Sequence, residues 1–528
     1  MSLSIVYSRA LVGVEAVEVT VEAHLSNGLP GFAIVGLPET AVKEAKERVR
    51  SAILNSGLEF PARRITVNLA PADLPKTGGT YDLAIALSIL QASGQLPDTA
   101  LINTELMGEL ALTGELRFVR GVLAAAIAAK KQARSIFVPA ENLPELQLTG
   151  YRKGRSCKSL LDVVTLVSMD LNDLDVSDNS ANDNSANDNS GIRQLSALDG
   201  VQDDSQDDTQ KETEDEIKGQ SMAKFAVKVA AAGHHNVLLI GPPGCGKTLL
   251  ANRLIQLLPP LSSDDAMEVA SIRSVAGFAT TMANCFSRPV RTPHHTATAV
   301  SLLGGGVKAM PGEISFAHHG LLFLDELTEF KRGVLESLRE PLETGEIYIT
   351  RANYRVRFPA SFQLIGAMNP CPCGYSGDAK RKCRCSPEII DRYLAKLSGP
   401  LLDRFDLIVE LPGLSQTELL LQPCLHRNPK AELTEITNIQ MLQIQRNRVL
   451  NSGIKAADLP RICALSKNQK LKLAGQLDVL GVSSRATHKI IKVARTIADL
   501  EGSEKIEDAH LNKALMLRRS RLVNRLVH

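Results

Sequence analysis

The stretch "GPPGCGKT", residues 241–248, follows the apolar run "NVLLI" and precedes the helical pattern "LLANRLIQLL". Gly241, Gly244 and Gly246 let a turn through Pro242, Pro243 and Cys245 bring its backbone close to an anion, and amide groups at a helix N-terminus attract phosphate oxygens. Lys247 can reach the outer phosphates of a nucleoside triphosphate, and the Thr248 hydroxyl can ligate Mg²⁺. A second pair of candidates stands in "GLLFLDELTEF". Asp325 can hold the metal directly or through water, and Glu326 can polarise an attacking water. "FQLIGAMNP" ends on Asn369, able to orient that water or sense the terminal phosphate; the plainer account is a turn-forming Asn before proline. These residues predict hydrolysis of a nucleoside triphosphate with Mg²⁺.

"CPCGYSGDAKRKCRC", residues 371–385, follows at once. The pairs Cys371-x-Cys373 and Cys383-x-Cys385 could close a tetrahedral zinc site and fold a loop too small to have its own core. Free thiols are one alternative; disulfide or redox chemistry is another, disfavoured in a reducing compartment. If a metal pins the loop, Lys380, Arg381, Lys382 and Arg384 form a basic surface for DNA or for a neighbouring subunit. Cys157, Cys245, Cys285, Cys424 and Cys463 are scattered and read as packing residues. His294, His295, His318 and His319 come in pairs, with no carboxylates obviously spaced to complete a metal site, and read as polar contacts.

The elements that must position these groups are short apolar strands alternating with helices. Residues 217–412 read as an α/β unit of that kind, and residues 413–528 as helices with polar joints. Between its two acidic and glycine-rich motifs the α/β unit makes a long excursion containing "RTPHHTATAVSLLGGGVKAMPGEISFAHHG". Beyond them, "LREPLETG" reads as a helix and "EIYITRANYRVRF" as a hairpin. The hairpin sets Arg351, Arg355 and Arg357 beside Tyr348 and Tyr354, a mix suited to phosphates and bases, or else a brace with solvated arginines.

A chain of 528 residues is too long for one core. Residues 1–169 mix strands ("EAVEVTVEAHL", "RRITVNLA", "SIFVPA") with helical runs ("TAVKEAKERVRSAILNSG", "YDLAIALSILQASG", "VLAAAIAAKKQA") as a separate α/β domain. Residues 170–216, with their "SANDN" repeat, have too little apolar surface to offset ordering and read as an acidic linker, or as an acidic tail that mimics DNA or recruits a partner. A net charge of +2 argues neither for nor against nucleic acid, so any basic surface must be local. The N-terminal residues lack a signal-peptide pattern, no apolar run approaches a membrane span, and nine cysteines are no secreted disulfide framework. The expectation is a soluble, cytoplasmic protein.

The phosphate turn, the Asp-Glu strand and the Asn strand, in that order, resemble an AAA+ ATPase. On that resemblance Arg404 in "GPLLDRFDLIVEL" is an arginine finger for a neighbouring subunit's nucleotide. A salt bridge with Asp403 or Asp406 is the alternative. Arg485 in "GVSSRATHKIIKVARTIADL" resembles the sensor arginine of a helical lid, returning to the phosphates. A finger in trans implies a ring, most often a hexamer. The two insertions resemble the helix-2 insert and pre-sensor hairpin of the magnesium-chelatase and MCM-like branch, which face a central pore.

"AAAGHHNVLLIGPPGCGKT", "RTPHHTAT", "PGEISFAHHGLLFLDELTEF" and "MNPCPCGYSG" closely resemble the YifB/ComM family of bacterial magnesium-chelatase-like proteins, over essentially the whole chain except the linker. The resemblance implies a hexameric ATP-driven DNA motor that promotes branch migration in natural transformation. A chelatase-like or chaperone-like motor acting on a protein partner is the second reading. "VNLAPADLPKTGGTYDLAIALSIL" and "MGELALTGELRFVRGVLAAAIAAKKQARSIFVPAEN" resemble the Lon protease domain, an S5-like α/β fold. There the nucleophilic serine falls near Thr80 and the lysine near Leu123, and leucine cannot accept a proton. The resemblance implies the fold without peptidase activity: a scaffold that helps seat the ring or contact DNA.

Overall fold

The computed structural model describes residues 3–36, 42, 44–74, 76, 78–174, 220–278, 280–306, 309–350, 355–378, 381–413, 429–480 and 484–518. They form two compact units, one from Met1–Gln210 with Arg273–Asn284, the other from Lys211–Ile272 with Cys285–His528. Arg351, Tyr354, Lys380, Cys424 and most of the acidic stretch lie outside the described residues. A helix over Leu160–Leu174 carries regular structure a few residues into the stretch expected to be linker.

In the first unit the strands are β1 Leu3–Val12, β2 Glu15–Ser26, β3 Gly31–Val35, β4 Arg64–Ala70, β5 Thr104–Leu106, β6 Glu109–Leu110, β7 Leu116–Arg117, β8 Ser135–Pro139 and β9 Gly154–Cys157. Seven of them make one mixed sheet in the order β3-β4-β2-β1-β5-β8-β9. β1 and β2 are antiparallel from Leu3↔His24 to Val12↔Glu15, turning at Gly13, whose φ of 65° a glycine adopts freely. Helices Ala45–Asn55 and Asp82–Ala92 pack on the sheet through Val49, Ile53, Leu83 and Leu87 against Val19, Val21 and Val67. Every residue of Asp82–Ala92 is buried: apolar side chains point to all sides, and the buried Asp82, Ser88 and Gln91 are each hydrogen-bonded. Burial pushes the Asp82 carboxyl up to about 6, although Arg48 Nε donates to it at 2.7 Å.

In the second unit the strands are β10 Val237–Ile240, β11 Val290–Arg291, β12 Gly304–Gly305, β13 Met310–Pro311, β14 Leu321–Leu324, β15 Glu346–Thr350, β16 Arg355–Pro359, β17 Gln363–Met368 and β18 Leu407–Glu410. Five form a parallel sheet in the order β11-β14-β17-β10-β18. Strands buried on both faces read as continuous apolar runs rather than alternating ones, hence "VLLI", "LLFL" and "QLIGAM". At the polar start of β17 Gln363 Nε2 donates to the carbonyls of Ala230 (3.0 Å) and His235 (2.7 Å), while its Oε1 has no hydrogen-bond partner among the described residues. Beyond residue 429 the described residues are helical, in Pro429–Asn447, Leu459–Ile462, Lys467–Leu480, Ser484–Leu500 and Asp508–Met516. Ile490, Val493 and Ile497 share one core with Val237, Leu239, Ile365 and Val409, so the helices and the sheet of this unit are one packed body. No helix among the described residues is long and apolar enough to cross a membrane.

Candidate functional site

β10 runs buried to Ile240 and delivers the chain to the glycine turn. Gly244 and Gly246 take φ of 76° and 88°, the left-handed region where a side chain is strained. Gly241 is needed for space instead, because a Cβ there would come 2.7 Å from Cys245 Sγ and 2.8 Å from Leu411 Cβ. Helix Lys247–Gln256 starts directly after Gly246, with Thr248 exposed in its first turn. Lys247 Nζ donates to the carbonyls of Gly241 (2.9 Å) and Pro242 (3.1 Å) and to Asn369 Oδ1 (3.1 Å). All three are neutral oxygens, which leave the lysine charge to an anion.

The strand order explains the Lys247–Asn369 contact. β17, which leads to Asn369, lies between β10 and β14 in the registers Ile240↔Met368 and Leu324↔Gly366. The three chain segments leave the sheet along its C-terminal edge, where open parallel sheets bind ligands. Asp325 and Glu326 are exposed there just past β14. Glu326 has φ 49°, unusual for a residue with a side chain, and its N–H donates to Asp325 Oδ1 at 2.8 Å. His295 Nδ1 stands 3.5 Å from Glu326 Oε2, with its ring 4.0 Å from that of His294. β11 pairs in parallel with β14, so the chain beyond it reaches the same edge as Glu326. Sequence reasoning places no residue beside Glu326; the order of β11 in the sheet is the missing information.

Arg404 and Arg485 converge on one carboxylate. Arg404 Nη2 pairs with Glu343 Oε1, and Arg485 Nη1 lies 3.8 Å from the same oxygen. Neither Asp403 nor Asp406 takes the place of Glu343 in these pairs. Asp403 lies 3.7 Å from Arg518, and Asp406 binds Lys489 Nζ at 2.8 Å. Burial would raise the Asp406 carboxyl, but Lys489 and His235 outweigh it and hold it well below the usual range. Arg404 is buried and its Nε has no hydrogen-bond partner among the described residues, beside a cavity of about 520 Å³ that Glu343, Arg485 and Lys489 also line.

The hairpin residues divide by face. Ile347, Ile349, Val356 and Phe358 are buried, while Tyr348, Arg355 and Arg357 are exposed together. The Arg355 guanidinium lies over the Tyr348 ring at 4.1 Å, and Arg357 pairs with Glu346 at 2.8 Å.

In the cysteine loop Sγ of Cys371 is 3.3 Å from that of Cys373 and 3.7 Å from that of Cys383, and the Cys373–Cys383 separation is 3.5 Å. All four sulfurs, including Cys385, lie within 4.8 Å of one another. The backbone N–H groups of Arg384 and Tyr375 pull the Cys373 thiol down to about 6. Arg381, Lys382 and Arg384 are exposed, with Arg381 Nη1 donating to the Tyr375 hydroxyl at 2.6 Å. Cys157, Cys245, Cys285 and Cys463 are buried.

One carboxylate does meet a histidine pair: Glu268 Oε2 is 2.9 Å from His318 Nε2 and 3.0 Å from His319 Nε2. His318 Nδ1 accepts the Ser361 N–H at 3.0 Å, so Nε2 carries the ring proton and donates to Glu268. A nitrogen that donates a proton is not a metal ligand, so in this arrangement His318 makes a polar contact.

In the first unit Leu123 is wholly buried on helix Val122–Lys131. Lys76 is also wholly buried, but its Nζ donates to the carbonyls of Gly36 and Pro71 rather than activating a hydroxyl.

Comparison with known proteins gives this geometry its family. Residues 214–419 match the family model described as magnesium chelatase, subunit ChlI; residues 21–142 match subunit ChlI of Mg-chelatase; residues 432–518 match the ChlI C-terminal model. Competence protein ComM of Haemophilus influenzae is 45% identical over 516 residues, covering 98% of this chain and 97% of that protein. The chain belongs to the ComM/YifB family of magnesium-chelatase-like AAA+ proteins. YifB of Salmonella typhimurium, an uncharacterized protein, is 44% identical over 521 residues and 98% of this chain. A magnesium-chelatase 38 kDa subunit of Rhodobacter capsulatus is 26% identical over 335 residues, 58% of this chain and 87% of the subunit. As a ComM/YifB protein it is an ATPase that uses ATP and Mg²⁺ in an ATP-driven remodelling motor. The site suits that nucleotide: left-handed glycines shape the turn, Lys247 donates only to neutral oxygens, and Thr248 and two exposed carboxylates supply hard oxygen donors.

Proposed function

We propose that this protein is a ring-forming, most simply hexameric, cytoplasmic DNA translocase that drives branch migration during natural transformation. The observation that carries the reading is the exposed hairpin face on which Arg355 covers Tyr348 beside Arg357, a cationic and aromatic surface for phosphates and bases. The name of the Haemophilus relative, a competence protein, points the same way. Arg351 and Lys380 belong to the proposed DNA contacts, with Arg381 and Lys382.

In the proposed mechanism the turn Gly241–Gly246 binds phosphate through backbone N–H groups. Lys247 exchanges its neutral oxygens for phosphate. Thr248 and Asp325 would hold Mg²⁺, which would supply positive charge against the transferring phosphoryl group. Glu326 takes the proton of the attacking water and Asn369 fixes that water's direction. Arg404 leaves Glu343 for the neighbouring subunit's nucleotide, and Arg485 serves its own. Cys371, Cys373, Cys383 and Cys385 would hold a structural zinc: the sulfurs of the first three lie 3.3–3.7 Å from one another and that of Cys385 within 4.8 Å of them, near the spacing that four thiolates around one zinc require. Residues 1–169 serve as an S5-like scaffold, residues 170–216 as linker, 217–412 as motor core and 413–528 as lid.

The test is ATP hydrolysis by the purified protein with and without single-stranded and forked DNA, with Glu326→Gln as control. A several-fold rise with DNA in the wild type, absent in Glu326→Gln, is the expected result. Hydrolysis indifferent to every DNA but raised by a protein partner would transfer the motor to the chelatase-like reading, which the 26% identity to the chelatase subunit favours.

A further inference from the structure

The cysteine loop touches the phosphate turn itself. Gly374, between the two cysteine pairs, has φ 83°, and a Cβ there would come 2.6 Å from Pro243 Cδ and 2.9 Å from Pro243 Cγ. At Gly374 the loop therefore comes into contact with the edge of the proline ring in the middle of the turn. The same loop supplies Ser376 and Asp378 to one wall of a cavity of about 520 Å³, whose other walls include Pro242, Pro370, Leu411 and Pro412. This cavity opens at the beginning of the turn, at the C-terminal ends of β10 and β18.

The wall hangs on the sulfurs. The Ser376 N–H donates to Cys371 Sγ at 3.3 Å, the Gly374 N–H to the Cys371 carbonyl at 2.9 Å, and the Cys385 N–H to Cys383 Sγ at 3.4 Å. Among the described residues of 371–386 no helix or strand forms, and only Cys371 and Gly374 are buried. Apolar packing is too scarce to hold such a segment, so its position depends on what joins the sulfurs.

We infer that the four-cysteine loop, in its metal-bound form, is the outer wall of the nucleoside end of the nucleotide site, and that its metal sets nucleotide affinity. The inference rests on the zinc reading given above. Residues 241–248 take up the phosphates, so the adjoining cavity receives what lies beyond them, a ribose and a flat base. Proline and leucine walls suit the base, and Ser376 and Asp378 offer partners for hydroxyl or amino groups. Loss of the metal frees the wall and unclamps Pro243 at the same time.

The experiment uses the full chain, with zinc content measured by elemental analysis and binding of fluorescent ATP measured with Mg²⁺. Chelation, or Cys383→Ser, is expected to remove zinc and weaken ATP binding about tenfold or more, and added zinc chloride should restore the chelated wild type. Ser376→Trp is expected to keep its zinc, weaken ATP comparably, and leave inorganic tripolyphosphate binding nearly unchanged. Zinc loss with unaltered ATP affinity would overturn the inference while leaving the metal site standing. A wild type without zinc would overturn the metal reading itself. If Cys383→Ser does not fold, Ser376→Trp decides: ATP affinity equal to wild type refutes the wall.

Discussion

Glu326 stands in left-handed backbone with its carboxylate 3.5 Å from His295, a conformation that costs roughly 1 kcal/mol or more for a residue with a Cβ. The position aims the carboxylate away from the strand direction, and His295, backed by His294, faces it across the sheet edge. His295→Ala is expected to lower kcat for ATP about tenfold while KM changes little, because the base loses its orientation and the phosphate turn is untouched. Steady-state kinetics check this; a KM effect alone would place His295 in nucleotide binding. Lys247→Ala should instead abolish measurable ATP binding, read by the same fluorescent nucleotide. "GPPGCGKT" is legible in the sequence because its chemistry is local: turn, cation and helix start adjoin in the chain. His295 and Glu343 are not, since each meets its partner only through the sheet order or through the approach of distant helices.

At the scale of elements, the buried parallel strands are legible for a physical reason. A strand covered on both faces has no polar register to keep, so "VLLI" and "LLFL" announce themselves. β1 is harder to see. It carries Arg9, Ser4 and Ser8 inward, and Arg9 is buried against Glu105 of β5, which only the folded sheet supplies. The histidine pair before β14 belongs to this scale too, because His318 joins the helix bearing Glu268 to Ser361 just ahead of β17. Burial, then neighbouring His319, pushes His318 down to about 4, against the pull of Glu268 and Asp265. An unfolded chain takes that proton near pH 6.5 and the folded one only near 4, so acid favours the unfolded state. The stability is present above pH 6.5 and lost as pH falls toward 4, by roughly 3 kcal/mol in full. Melting temperatures between pH 7.5 and 4.5 should therefore fall less steeply in His318→Gln than in the wild type; parallel curves would show that His318 titrates normally.

For the whole molecule, matches to the magnesium-chelatase models span both units and the C-terminal helices. In the proposed ring each site needs an arginine from next door. Mixing Arg404→Ala subunits with Lys247→Ala subunits is then expected to restore ATPase activity that neither shows alone, because the intact lysine of one meets the intact arginine of the other. No recovery would mean that Arg404 acts within its own subunit. The sequence alone suggests Arg404 and Arg485 as separate devices, one for each side of a subunit boundary. The structure ties them to a single acid, since Glu343 faces both guanidiniums. A carboxylate shared in this way makes the two arginines competitors: the departure of either strengthens the hold on the other. In the proposed ring, engagement of a neighbour's phosphate by Arg404 and of the subunit's own by Arg485 would thereby be coupled through one side chain.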